Sequence, residues 1–222
     1  MAEPSAKNGE KIKPEWVNNQ SCWEVLLETV LNDDNVEIIL FGDNLSKETK
    51  QMVQGYNGWR LPDRLIETKA HGNAETFLEV MEYALNNFEN DDIIYFVEDD
   101  YLHKPGAMDI LREGFKRAEY VSLYDHPDKY DGNAKILFHT KSSHWQFVQS
   151  TTMTFAVQKK TLVEDAKIFR ATIETGNPPD HAIFTFLTQK VYRRLASCIP
   201  AYATHGELAQ MSPVREWDDE KI

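Results

Sequence analysis

From Asn19 to Leu31 apolar residues recur at helical spacing (Cys22, Trp23, Val25, Leu26, Val30), and Asn18 or Asn19 can cap the first turn. Asn32-Asp33-Asp34-Asn35 breaks that pattern. Val36 to Phe41 is a run of β-branched and aromatic residues stopping at Gly42-Asp43-Asn44, which predicts a buried strand ending in a polar turn. A short helix is expected over Lys47 to Gln54, then a loop of Gly, Asn and Pro from Gly55 to Pro62. Phe77, Val80, Met81, Ala84, Leu85 and Phe88 lie on one side of a longer helix over Asn73 to Phe88. Ile93 to Val97 is an uninterrupted apolar run, read as a strand buried on both faces, and it runs directly into Glu98-Asp99-Asp100. A helix with Pro105 in its first turn reaches Arg117.

This alternation of strands and helices predicts an α/β fold with a central mixed, mostly parallel sheet flanked by helices. Past residue 118 the strands shorten (Tyr120 to Tyr124, Lys135 to His139, Thr152 to Val157), and helices are expected over Lys159 to Phe169 and Asp180 to Gln189. No Pro/Ser linker divides the chain, so both halves are expected on one sheet. Residues 1–14 mix Pro, Gly, Lys and Glu without periodicity and read as a flexible tail.

Composition narrows the function. The chain has 222 residues, 41% of them hydrophobic, which is enough for one substantial core. Its formal net charge of −12 disfavours nucleic acid and anionic lipid as partners, because both demand a surplus of Lys and Arg. No apolar run approaches the roughly 20 residues that span a bilayer, and the polar N-terminus has no signal core, so a cytoplasmic protein without a transmembrane segment is expected. Cys22 and Cys198 are far apart and read as reduced, partly buried thiols. The Asn-x-Ser triplets at Asn19 and Asn44 read as chance matches.

The chemistry concentrates in Glu98-Asp99-Asp100. Adjacent carboxylates at the end of an apolar strand repel one another, and a divalent cation relieves that repulsion. Carboxylate oxygens suit Mg²⁺ or Mn²⁺, and Mg²⁺ commonly binds one or two carboxylates plus substrate phosphates. In open α/β sheets the ligand crevice lies outside the carboxyl ends of the strands, where this triplet falls. The same triplet also suits a solvated turn that caps the next helix. No Gly-rich phosphate loop, Gly-x-Gly-x-x-Gly, Gly-x-Ser-x-Gly or His-Glu-x-x-His is present, which removes the main support for kinase, dehydrogenase, serine-hydrolase and zincin readings.

The run Ile94-Tyr95-Phe96-Val97-Glu98-Asp99-Asp100-Tyr101-Leu102-His103 resembles the acidic metal motif of GT-A glycosyltransferases, in particular a family-2-like group of bacteria and large viruses. Gly72-Asn73-Ala74-Glu75-Thr76-Phe77 resembles the same group, as do Tyr120 to Tyr130, His144-Trp145, Ser150 to Phe155, Pro179-Asp180, Thr204-His205-Gly206-Glu207 and Ser212-Pro213, in that order. The resemblance spans about residues 14 to 217. It implies a GT-A domain over 15–217, with a nucleotide-binding half (15–104) and an acceptor-binding half (105–217), that moves a sugar from a UDP- or GDP-linked donor to a hydroxyl of a glycan or glycoconjugate with Mn²⁺ or Mg²⁺.

It also implies roles for individual residues. Asp100 coordinates the metal, while Glu98 and Asp99 orient the ribose or waters. Asp43 and Asn44 lie near the base or ribose, and Gly72 and Asn73 near the ribose and phosphates. His205 supplies a distant metal or phosphate contact; on its own, a histidine there is more often a surface or turn residue. Asp180, opening a helix after Pro178-Pro179, is the expected base in an inverting displacement, although helix capping explains it as well. Its neighbour His181 is a substitute base or a surface residue. Trp145, Gln146 and the Ser150 to Phe155 stretch, Thr152 among it, would floor the sugar site, and Tyr124, Asp125 and His126 would contact donor or acceptor. Trp145, Met153 and Phe155 also suit core packing, and His126 and His144 suit structural roles. In one respect the chain departs from the group: nothing before Trp16 resembles its first, base-binding strand. Two other readings remain, a sugar-1-phosphate nucleotidyltransferase and a non-catalytic sugar- or nucleotide-binding module.

Overall fold

The computed structural model describes residues 12–30, 33–54, 65–69, 72–130, 138–174, 179–214 and 216–217. Most of the expected tail, the Gly55 to Pro62 loop and the first part of the expected Lys135 strand lie outside the described residues.

The elements run α1 (Asn19–Val30), β1 (Leu40–Gly42), α2 (Lys47–Gln54), β2 (Leu65–Glu67), α3 (Asn73–Asn87), β3 (Ile93–Phe96), β4 (Tyr101–His103), α4 (Ala107–Gly114), β5 (Tyr120–Ser122), β6 (Phe138–His139), β7 (His144–Val148), β8 (Phe155–Gln158), α5 (Lys159–Ile173), α6 (Pro179–Gln189), β9 (Leu195–Ile199) and β10 (Ala203–His205). The helices follow the hydrophobic periodicity closely. The strands depart from it, for reasons of pairing.

The central sheet has six strands in the order β3-β8-β5-β9-β7-β6. Of its neighbouring pairs only β5–β9 is parallel; β3–β8, β8–β5, β9–β7 and β7–β6 are antiparallel. The α/β class holds, but the sheet is mixed rather than mostly parallel. The cause lies in β8. Strands β3 and β5 run the same way, as their crossover through α4 requires, but β8 enters between them in the opposite direction and pairs with both. This places β3 at the sheet edge, so Ile93 is exposed rather than buried on both faces.

Only the end of the expected Val36 strand enters a ladder, as β1, and it pairs parallel with β2 in a separate two-stranded sheet. No described strand pairs with residues 36–39. A second small sheet joins β4 antiparallel to β10.

Side chains alternate across the main sheet into two cores. On one face Phe96, Tyr120, Phe155, Val157 and Leu195 meet α3, α5 and α6. Phe155 is the centre of that packing, with its ring within 4.9 to 6.1 Å of the rings of Phe77, Phe96, Tyr120, Phe169 and Phe184. On the other face Val121, Trp145, Ala156, Ala196 and Cys198 meet α4 and the end of α1. Among the described residues no helix is long and apolar enough to cross a membrane.

His103 on β4 is fully buried, with Nε2 2.9 Å from the Tyr95 hydroxyl. Burial disfavours its charged form and lowers its pKa from 6.5 to about 4. Between those values the unfolded chain binds the extra proton, so stability is complete above pH 6.5 and is lost as pH falls through 4. The loss attributable to this residue is about 3 kcal/mol at its fullest. Urea unfolding midpoints measured from pH 7 to pH 4 are expected to fall in wild type and to fall less steeply in His103→Gln.

Candidate functional site

Strands β3, β5 and β9 end at one edge of the main sheet, where β8 begins. That geometry gathers the polar segments following β3 and β5 beside the Thr152 to Thr154 approach to β8. Thr154 stitches the first to the last: its hydroxyl accepts from the Glu98 backbone N–H at 3.1 Å and lies 3.4 Å from Glu98 Oε2. Thr152 Oγ1 accepts from the Tyr101 hydroxyl at 2.7 Å. Tyr101 is buried, with its ring edge-on to Tyr124 at 5.6 Å and to His205 at 5.3 Å.

The acidic triplet divides by environment. Asp99 is exposed and accepts from Asn19 Nδ2 at 2.9 Å, at the start of α1. Glu98 is partly buried; burial and the neighbouring charges of Asp100 and Asp180 push its carboxyl up to about 8. Asp180, in the first turn of α6, therefore acts electrostatically on Glu98 although it is distant in sequence. The Asp180 Oδ1 atom accepts from the His181 backbone N–H at 2.8 Å, so a local helix-start contact coexists with that influence.

Asp100 meets two nitrogens at a single oxygen. His205 Nε2 is 3.5 Å and Lys13 Nζ 3.4 Å from Asp100 Oδ2, whose side chain is 16% exposed. The pairing of β4 with β10 sets His205 opposite Tyr101, and the Gly206 N–H donates to the Asp100 carbonyl at 2.7 Å. His205 Nδ1 accepts from the Glu207 backbone N–H at 3.0 Å. A backbone amide can only donate, so Nδ1 is unprotonated and Nε2 carries the ring proton toward Asp100. The imidazole is thus held as a donor, and among the two only Asp100 offers lone pairs to a cation.

That donor set suits a hard cation completed by substrate and water oxygens, with Asp100 as ligand and Glu98 and Asp99 alongside. Among the described residues no three His, Cys, Asp or Glu side chains converge to hold a metal by themselves.

The other expected site residues fall into separate groups. Asp43, buried at the end of β1, accepts from Thr76 Oγ1 at 3.2 Å, which brings Asp43 and Asn44 to the first turn of α3 with Gly72 and Asn73. Asn44 is exposed in the left-handed region (φ 52°). Asp125 is fully buried: one oxygen takes the Tyr130 hydroxyl at 2.5 Å and the other the Ser212 hydroxyl, and burial raises its pKa. It braces the turn after β5 against the chain after β10. His126 Nδ1 accepts from the Asp128 N–H at 3.1 Å. Trp145 is fully buried on the α4 face, stacked on Phe138 with centroids 5.9 Å apart, and donates its indole N–H to Thr140.

Gln146 points to the opposite face from Trp145, in register with Ser197, which is itself in register with Ser122. Thr151 Oγ1 donates to Ser122 Oγ at 3.0 Å, so this row of polar side chains continues toward Thr152. Gln146 is 3% exposed, and its Nε2 has no hydrogen-bond partner among the described residues.

Sequence reasoning missed Lys13, which it placed in the tail. The adjoining Pro14-Glu15-Trp16-Val17 was the available signal, since Val17 is buried and the Pro14 carbonyl accepts its N–H at 2.9 Å. The chain matches no protein-family model, and no curated protein sequence matches it.

Gly206 is the tight point between these parts. A Cβ there would stand 2.7 Å from Val17 Cγ1 and 3.0 Å from the Asp100 carbonyl. Gly206→Ala is expected to cost about 1–3 kcal/mol by overpacking and to push the Val17 segment away from Asp100. A urea titration gives the first effect, and faster amide hydrogen exchange at residues 13–20 than elsewhere gives the second.

Proposed function

We propose that the chain is a metal-dependent, inverting glycosyltransferase of GT-A architecture, acting in the cytoplasm on a UDP- or GDP-linked sugar and a hydroxyl of a glycan or glycoconjugate. The observation that carries this reading is the convergence on one sheet edge of Glu98, Asp99 and Asp100 with the charge of Asp180 and the donors His205 and Lys13. A nucleoside diphosphate needs a counter-charge and donors at its phosphates, and transfer needs a base at the acceptor hydroxyl. This edge contains groups of both kinds.

Asp100, with Glu98 and Asp99 beside it, would hold Mn²⁺ or Mg²⁺. That ion supplies positive charge to the departing diphosphate, a contribution of several kcal/mol in such reactions. The residues of the chain divide the remaining work. Asp180 accepts the proton of the acceptor hydroxyl as its oxygen attacks the anomeric carbon; the bond from that carbon to the diphosphate oxygen breaks, and its electron pair leaves with the diphosphate. Glu98, whose carboxyl titrates near 8, stays largely protonated at neutral pH and so limits repulsion within the triplet. Asp43, tied to Thr76, and the adjacent Gly72-Asn73 start of α3 form the polar surface assigned to the nucleoside.

A thermal-shift screen of UDP, GDP and their sugars with and without Mn²⁺ tests the reading. One nucleotide is expected to stabilise the protein only when Mn²⁺ is present, and Asp100→Asn is expected to abolish that stabilisation while melting like wild type alone. For Asp180→Asn, donor-induced stabilisation is expected to persist while turnover falls by about 10² or more. Release of pyrophosphate from a nucleoside triphosphate and a sugar phosphate would assign the site to nucleotidyl transfer instead.

A further inference from the structure

We propose that Lys13 is a diphosphate-binding residue, held in waiting on Asp100 beside the His205 N–H, and that it couples cation binding to diphosphate binding. The inference rests on the glycosyltransferase reading above and adds to it a residue and a binding order.

The charge at the edge demands such a residue. Glu98, Asp99, Asp100 and Asp180 are acidic, and the chain carries a formal net charge of −12. A single divalent cation does not offset several carboxylates and a diphosphate together. Cationic side chains close to the cation are therefore required, and Lys13 lies 3.4 Å from Asp100 Oδ2.

The placement of Lys13 is built into the backbone. The Ile12 carbonyl accepts from the Leu208 N–H at 2.9 Å, and the Pro14 carbonyl accepts from the Val17 N–H at 2.9 Å. Val17 is buried with Cys22 and Leu102, and Asn19 reaches Asp99. Lys13 is thus anchored on both sides, with its side chain 28% exposed and its ammonium aimed at the triplet.

Both donors converge on the one oxygen a cation would use. His205 presents Nε2–H because its Nδ1 accepts from Glu207, and Lys13 presents an ammonium with no acceptor capacity. Asp100 Oδ2 stands to them as a phosphate oxygen would. A divalent ion on Oδ2 takes away that acceptor and leaves an ammonium facing a cation, which is unfavourable until an anion arrives between them. Lys13 consequently opposes the cation alone and favours the cation with diphosphate. A residue with only a structural role would move both affinities in the same direction.

Calorimetric titration of the full chain distinguishes these cases, using MnCl₂ alone and then UDP or GDP, each against its monophosphate, in saturating MnCl₂. Lys13→Gln is expected to bind Mn²⁺ alone as tightly as wild type or more tightly, yet to lose about tenfold or more in affinity for the diphosphate, as expected for removal of a charge-assisted contact. The monophosphate is expected to lose less, and Lys13→Arg is expected to restore diphosphate affinity. Unchanged diphosphate affinity in Lys13→Gln, in a protein whose binding Asp100→Asn abolishes, overturns the role of Lys13 and leaves the glycosyltransferase reading standing. Absence of Mn²⁺-dependent diphosphate binding in wild type, or its persistence in Asp100→Asn, overturns that reading itself.

Discussion

The short antiparallel pairing of β4 with β10 makes the site possible. Strand β3 lies at the edge of the main sheet, so the triplet that follows it would otherwise end an exposed strand with little to organise it. Pairing Tyr101–His103 with Ala203–His205 turns the chain onto its C-terminal part and sets His205 across from Tyr101. The bond from Gly206 N–H to the Asp100 carbonyl then closes the corner. Only a residue without a side chain allows that approach, because Val17 occupies the space where a Cβ would stand.

The electrostatics follow from this confinement. Burial raises the Glu98 carboxyl, and the nearby charges of Asp100 and Asp180 add to that rise. Asp100 instead meets the His205 N–H and the Lys13 ammonium at its Oδ2. The outcome is a graded set: a carboxyl protonated near neutrality at the sheet, an ion-paired carboxylate next to it, and an exposed one tied to α1. In the proposed transfer this grading lets a single cation and one flexible lysine handle a diphosphate without all the carboxylates competing for the same charge.

Legibility from sequence varied by element for physical reasons. Helices α1, α3 and α5 bury long apolar stripes whose 3.6-residue period is written in the chain. The triplet, Asp180 and His205 stood out by residue type; the triplet follows the end of β3, His205 ends β10 and Asp180 opens α6. Strand β9 did not stand out, because its centre is Ala196-Ser197-Cys198 and lacks bulk; Ala196 and Cys198 lie on the face of Trp145 and α4, and Ser197 on the other. Strands β4 and β10 span three residues each, too few to show alternation. Strand direction is invisible to periodicity altogether, so β8 could turn an expected parallel sheet into a mixed one. Trp145 was read from its chemistry rather than its register: one step along β7 separates its core position from the polar row of Gln146, Ser197 and Ser122.

The two large cores and the site are held by different contacts. Phe155 and its ring of aromatics secure the sheet against α3, α5 and α6. The segment that brings Lys13 and Asn19 to the triplet depends on a small separate cluster, Val17, Cys22 and Leu102, with Trp16, Met211 and Trp217 packed around it. A cluster of that size buries far less apolar area than the main cores, so it can open at a cost well below global unfolding. Loss of its contacts would release Lys13 from Asp100 while the sheet stays folded. Charge compensation at the triplet is in this way tied to a small cluster outside the two main cores, where a bound anion bridging Lys13 and the cation would add to order.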